Sequence, residues 1–271
     1  MKSGRLYLDW QAARTGRGED IDMKSKILLA AAAVLALSTG VAQAAPPAAV
    51  VAAVADKGRP EADTKRDADR KPAEMLEFAG VKPGDKVADF IPGGGYFTRL
   101  FAKTVGPKGK VFAVTNPPPP NATAPAPILA VAADPQYGNI TVVSTGIGSF
   151  KLPEPVDVFW TSQNYHDLYL TRFNLDVPAV VKTIYDSIKP GGVFIVLDHV
   201  AAPGAEVGPT ANTLHRIDPA AVKKTVEAAG FKYEGETKVL ANPADDHTKG
   251  VFDPALRGHT DQFVYKFRKP K

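Results

Sequence analysis

The 271-residue chain carries 33 Lys+Arg against 29 Asp+Glu and contains no cysteine. The absence of cysteine excludes disulfides, thiolate metal sites and cysteine nucleophiles together, so a packed apolar core must supply the stability. The charges nearly balance, and the basic residues are scattered apart from a short tail over 266–271, which leaves no electrostatic footprint for nucleic acid.

Met23-Lys24-Ser25-Lys26 precedes an apolar run over 27–37 and a small-residue ending, Ala42-Gln43-Ala44. A cationic start, an apolar stretch too short to span a bilayer stably and an Ala-x-Ala end form the pattern of a secretory signal peptide. The expected arrangement is a signal over 23–44 cleaved after Ala44, with an N-terminal anchor or a buried helix as the alternative. Residues 1–22 then read as a mis-assigned extension ahead of a true start at Met23. Removing residues 1–44 takes away six basic and four acidic residues, leaving 27 against 25. The remaining 227 residues are enough for one core, and no second apolar stretch is long enough to cross a membrane. The expected location is a bacterial periplasm.

From 45 to 70 an Ala/Pro/Val stretch passes into a charged run without sustained apolar periodicity, which predicts a flexible leader before a domain over 71–271. Met75, Leu76, Phe78 and Ala79 at helical spacing predict a first helix, stopped by Gly80. Short apolar strands are predicted over 86–91, 110–115, 140–144, 156–161 and 193–197, with helices over 96–105, 177–188 and 219–229. Lys189-Pro190-Gly191-Gly192 reads as a turn, and Asp218 before Pro219 as an N-cap. Two further extended segments, near 232–240 and 262–267, close the chain. Residues 116–127 include six prolines and predict an exposed, polyproline-like loop. Strands alternating with helices predict an α/β, Rossmann-like, doubly wound fold: a mostly parallel seven-stranded sheet with helices on both faces and an antiparallel edge.

Between the first strand and its helix stands Asp89-Phe90-Ile91-Pro92-Gly93-Gly94-Gly95. Glycines here let a ligand approach the backbone and the helix start beyond it, though a three-glycine turn also serves tight packing. Asp89 is placed to orient the loop or to accept a hydrogen bond from an ammonium group. The stretch resembles the D-x-G-x-G-x-G motif of the class I S-adenosylmethionine-dependent methyltransferases, and the order and spacing of elements match over roughly 70–268. Residues 161–168, 252–254 and 260–263 resemble more narrowly a bacterial group of predicted methyltransferases with export signals. The resemblance implies S-adenosylmethionine as cofactor, with Asp89, Gly93, Gly94, Gly95, Thr115 and Asn164 as its binding residues. Three positions depart from the pattern. Ile91 replaces the first glycine, Thr115 replaces the acid that would accept both ribose hydroxyls, and 141–153 lacks an acid for the adenine amino group. A nicotinamide-dinucleotide reading fits less well, because Thr98 stands where its third glycine belongs and Thr115 again supplies no acid.

In open α/β sheets ligands lie beyond the carboxyl ends of the strands. After the fourth strand come Asn164, Tyr165, His166 and Asp167; after the fifth, Asp198 and His199; a later loop adds His215 and Arg216. Methyl transfer needs an aligned nucleophile and often a base. His166 is the candidate base, Asp167 or Asp198 its orienting carboxylate, and Tyr165 a surface for substrate or sulfonium. A divalent-metal site from Asp198, His199 and His215 is the weaker alternative, and the predicted reading has no metal. Asp245, Asp246, His247, Arg257, His259 and Asp261 are read as solvated, with a fold-back over the crevice as the alternative. The expected activity is methylation of a small molecule, with no nucleic-acid partner and no stable membrane insertion; the rival is a binding protein that kept the fold.

Overall fold

The structure is a computed structural model that describes residues 46–271. The signal-peptide and upstream-extension readings lie outside the described residues. Among the described residues no helix is long and apolar enough to cross a membrane.

Seven strands form one sheet: β1 (Lys86–Phe90), β2 (Lys110–Val114), β3 (Ile140–Val143), β4 (Val156–Ser162), β5 (Ile188–His199), β6 (Lys232–Thr237) and β7 (Gln262–Arg268). They lie in the order β3-β2-β1-β4-β5-β7-β6. β7 runs antiparallel to both β5 and β6, and the other pairs are parallel. The central strands are apolar on both faces because each face is covered. Val87, Val158, Trp160 and Ile195 meet Leu100 and Phe101 on one side, while Ala88, Phe90, Phe159 and Phe194 meet Val180, Ile184 and Val226 on the other. The doubly wound, mostly parallel sheet expected from the sequence is therefore present.

The first face is covered by α1 (Ala48–Val54), α4 (Pro72–Ala79) and α5 (Tyr96–Val105), the second by α7 (Val177–Asp186) and α9 (Pro219–Ala228). Asp176 and Asp218 accept hydrogen bonds from the first-turn amides of α7 and α9, each with proline at the start, as the capping chemistry predicts. Sequence reading missed α6 (Pro127–Ala133) and α8 (Val207–Leu214), both short and proline- or glycine-bearing.

Two expectations are corrected. The stretch 45–70 contains α1, α2 (Glu61–Thr64) and α3 (Asp67–Arg70) instead of a structureless leader. Its anchors are polar as well as apolar, which is why apolar periodicity did not reveal it. Val50 is fully buried, Arg59 grips Asp67 through two hydrogen bonds of 2.8 and 2.7 Å, and Asp67 also accepts from the Tyr96 hydroxyl at 2.6 Å. Residues 189–192, expected as a turn, lie within β5 as an irregularity. Val156 pairs with Ile188 but Val158 with Val193, and Gly191 absorbs the slack at φ 80°. The proline-rich segment 116–127 holds no strand, and α6 begins only at its last residue.

Candidate functional site

The order of strands reverses between β1 and β4, since β1 lies beside both β2 and β4. That reversal opens a crevice at the carboxyl ends of the strands. A cavity of about 370 Å³ occupies it. Its walls come from the turn after β1, the loops after β4 and β5, the end of α8, and the preceding α2–α3 region.

The glycine turn is built by backbone geometry. Ile91 takes φ 58°, Gly93 55° and Gly95 81°. A β-branched residue in the left-handed region is strained, yet the chain keeps the conformation that the motif's first glycine would adopt freely. Gly93 and Gly94 line the cavity, and a Cβ added to either would meet nothing within 4 Å, so their backbone is open to a ligand. Gly95 differs: its added Cβ would lie 3.0 Å from Val131, and it packs α6 instead of lining the cavity. Asp89 sits at the cavity end of β1, 3 % exposed, and accepts a 2.5 Å hydrogen bond from Thr98. Burial pushes its carboxyl up to about 7, against the pull of Thr98 and Arg70. Thr115 lies just past the end of β2 and is not among the residues that line this cavity.

Asn164 lines the cavity and ties its two halves, donating to the carbonyls of Ile91 at 2.9 Å and Ser162 at 2.6 Å. Beyond it a 3-10 turn (His166–Tyr169) presents His166. The His166 ring is buried, with Nδ1 2.8 Å from Asp198 Oδ1, while its backbone N–H donates to Asp198 Oδ2 at 2.7 Å. Asp198, wholly buried at the end of β5, also accepts from the His199 amide at 2.8 Å. Burial works to lower the His166 pKa, but the Asp198 and Asp167 carboxylates outweigh it and raise it. Burial likewise works to raise Asp198, and His166 reverses that. Both shifts have one cause: the Asp198 carboxylate favours positive charge on the ring, and the ring favours negative charge on Asp198. His199, by contrast, is lowered to about 4 by burial and bonds Thr260 Oγ1 at 2.7 Å. His166 Nε2 faces His215 Nδ1 at 3.3 Å and Asp167 Oδ1 at 3.3 Å.

Tyr165 is corrected. It is 1 % exposed and packs with Tyr169 and Phe194 in the second core, away from the cavity, because the 3-10 turn points residue 165 inward and residue 166 outward. Arg216 also turns away: fully buried, it bonds Asp245 at 2.8 Å and the carbonyls of Val200 and Lys249. Asp245, expected in solvent, is thus 3 % exposed and pins the 241–262 loop, from which Val251 and Phe252 reach the cavity.

Sequence reasoning missed Arg66, Arg70, Arg172, Gln163, Phe97 and Phe252 in the cavity wall. Arg70 bonds Gln163 Oε1 at 2.6 Å and lies over the Tyr96 ring at 4.8 Å. Burial and the neighbouring Arg66 lower its pKa to about 10. Arg66 and Arg70 belong to the stretch taken for a leader, so no signal near the strands could have placed them here.

No family model matches the chain. The 2-phytyl-1,4-naphtoquinone methyltransferase of Synechococcus elongatus is 30% identical over 126 residues, 45% of this chain and 49% of that protein. The chain thus matches about half the length of this curated relative. Among solved structures, a SAM-dependent methyltransferase from Aquifex aeolicus matches 78% of this chain and 99% of its own at 17% identity, TM-score 0.53. The 1,6-didemethyltoxoflavin-N1-methyltransferase of Burkholderia thailandensis, solved with S-adenosylhomocysteine, matches 78% and 82% at 16% identity, TM-score 0.51. At such identities the likeness carries the fold, and with the strand order above it places this domain among proteins of the class I S-adenosylmethionine-dependent methyltransferase fold.

Proposed function

We propose that the protein is an exported, S-adenosylmethionine-dependent methyltransferase acting on a small molecule. One observation carries the reading: the open backbone of Gly93 and Gly94 and the His166 ring, backed by the buried Asp198, face the same cavity. Its volume of about 370 Å³ falls in the range of small-molecule sites.

The cofactor fits at one end. Gly93 and Gly94 leave room against the backbone, and Asp89 and Asn164 stand beside them, so these four residues would hold its amino-acid end. Thr115 offers no carboxylate for a ribose, and it stands apart from this cavity. When bound, the cofactor supplies a methyl group on a sulfonium. The chain's own contribution is to the acceptor: His166 Nε2 takes its proton, and Asp198, fixed by two backbone amides, stabilises the imidazolium that results. Arg66, Arg70 and Phe97 line the same cavity and add two cationic groups and an aromatic ring to it.

Calorimetric titration of the purified protein with S-adenosylmethionine and S-adenosylhomocysteine tests the reading, with saturable binding of both expected. His166→Ala should then lower methyl transfer by about 10²–10⁴-fold and leave S-adenosylhomocysteine affinity within about threefold. No heat with either compound at millimolar concentration would remove the methyltransferase reading. The strained Ile91 and the missing strand-two acid would then favour a ligand-binding protein that retained the fold.

A further inference from the structure

Three side chains meet in the cavity wall in an arrangement that general-base chemistry does not require. His166 Nε2 lies 3.3 Å from His215 Nδ1 and 3.3 Å from Asp167 Oδ1, and His215 Nδ1 lies 3.8 Å from Asp167 Oδ1. Ligand atoms held tetrahedrally at about 2.0–2.1 Å from one ion sit about 3.4 Å apart. Two of the separations match that figure and the third exceeds it by a few tenths of an ångström.

We propose that His166, His215 and Asp167 form a binding site for a divalent first-row transition metal ion, open to the cavity at its remaining position. The residues around the trio serve the same end. Asp198 accepts from His166 Nδ1, which fixes the ring and leaves the Nε2 lone pair facing the other two ligands; this is the carboxylate–histidine backing usual behind metal-bound imidazoles. His215 is held at the end of α8 in the left-handed conformation, φ 53°, with the Phe252 ring packed against its own at 4.9 Å. All three ligands line the cavity, so a bound ion meets whatever occupies it. Two imidazoles and one carboxylate without a thiolate suit zinc, cobalt or iron(II) over calcium or magnesium. Among the described residues no other group of three comparable side chains comes together in this way. His199, a ligand in the weaker metal alternative read from the sequence, is engaged by Thr260 instead.

The site deepens the methyltransferase reading and, in that part, rests on it. A hydroxyl or thiol of the acceptor coordinates the open position, and the ion lowers its pKa so that its proton leaves to solvent. His166 is then a ligand, and the ion replaces it as the group that activates the acceptor. The substrate class narrows to molecules with an ionisable oxygen or sulfur donor.

The full chain, stripped with EDTA and exchanged into chelator-free buffer, is titrated with zinc(II) by calorimetry and with cobalt(II) by visible absorption. One equivalent should bind at micromolar or tighter dissociation constant, with the ligand-field bands of a low-coordinate cobalt site. His215→Ala should weaken binding at least tenfold while its thermal melt stays two-state. Asp198→Asn, which touches no metal, should weaken it about tenfold or more through the ring it orients. Absence of one-equivalent binding at 100-fold excess, or equal affinity in wild type and His215→Ala, overturns the site. Titration of the same metal-free and loaded samples with S-adenosylhomocysteine separates the two readings. Metal binding without nucleoside binding leaves the metal site and removes the methyltransferase, and the reverse outcome leaves His166 as the base.

Discussion

The two walls of the crevice are built on different principles. On the β1 side the ligand-facing surface is backbone: Gly93 and Gly94 stand open, and the nearest carboxyl, Asp89, is buried and raised to about 7. On the β4–β5 side it is side-chain chemistry, with Asp198, His166, Asp167 and His215 linked in one chain of contacts. The first wall departs from the motif it resembles at Ile91, where a branched side chain stands in place of a glycine. The second has accumulated polar groups. The difference teaches that the specific investment of this protein lies on the acceptor side, and the experiments below probe each wall in turn.

The largest effect is expected behind the second wall. Arg216 and Asp245 are both without side-chain exposure and bond each other at 2.8 Å. Arg216→Ala leaves the buried Asp245 carboxylate with two backbone amides but no counter-ion, and should cost about 3 kcal/mol in denaturant unfolding. A loss under about 1 kcal/mol would mean that the 241–262 loop is not held by this pair, and that the histidine wall does not depend on it.

Asp89 sets an intermediate effect on the first wall, and its sign is opposite to the usual carboxylate. Its native pKa of about 7 lies above the ordinary value of 3.8, so between these limits the folded protein holds a proton that the unfolded chain has released. Its contribution is fully present below about pH 4, falls as pH rises toward 7 and is flat above that. The slope approaches 1.4 kcal/mol per pH unit at most. Asp89→Asn should flatten the stability profile between pH 4 and 7 and stabilise the protein at pH 8. If wild type and variant keep parallel profiles across that range, Asp89 is ionised in the fold and the first wall is more polar than described.

Much of this asymmetry was legible in the sequence, though unevenly. The sheet, the cap at Asp218 and the glycine turn follow from local patterns: buried apolar runs, an acid before proline, glycines between strand and helix. His166, Asp167 and His199 could be assigned to the crevice because the ends of parallel strands are where such folds bind ligands. Which carboxylate orients His166 could not be read, since Asp198 and Asp167 are 31 residues apart and the choice depends on the register of β4 against β5. The inward turn of Tyr165 was hidden for a related reason, since adjacent loop residues face opposite ways without leaving a periodic trace. Arg66 and Arg70 reach the cavity only because Arg59, Asp63 and Asp67 clamp their segment to α5, and ion pairs across long separations leave no mark on hydropathy.

The smallest effect isolates the strain that the first wall carries. Ile91 is half-buried beside the second core at φ 58°, so replacing it outright mixes lost packing with relieved backbone. Comparing Ile91→Ala with Ile91→Gly removes the mixture, because both delete the branched side chain and only glycine deletes the Cβ that the left-handed region disfavours. At an ordinary position alanine is the more stable of the two by about 0.5–1 kcal/mol. Here the order should reverse, with glycine ahead by about 1 kcal/mol in chemical unfolding. Glycine should also bind S-adenosylhomocysteine more tightly than wild type if the Ile91 side chain obstructs that end of the cavity. Alanine ahead of glycine would mean that residue 91 relaxes to negative φ, and the motif's backbone conformation would then be absent from this protein.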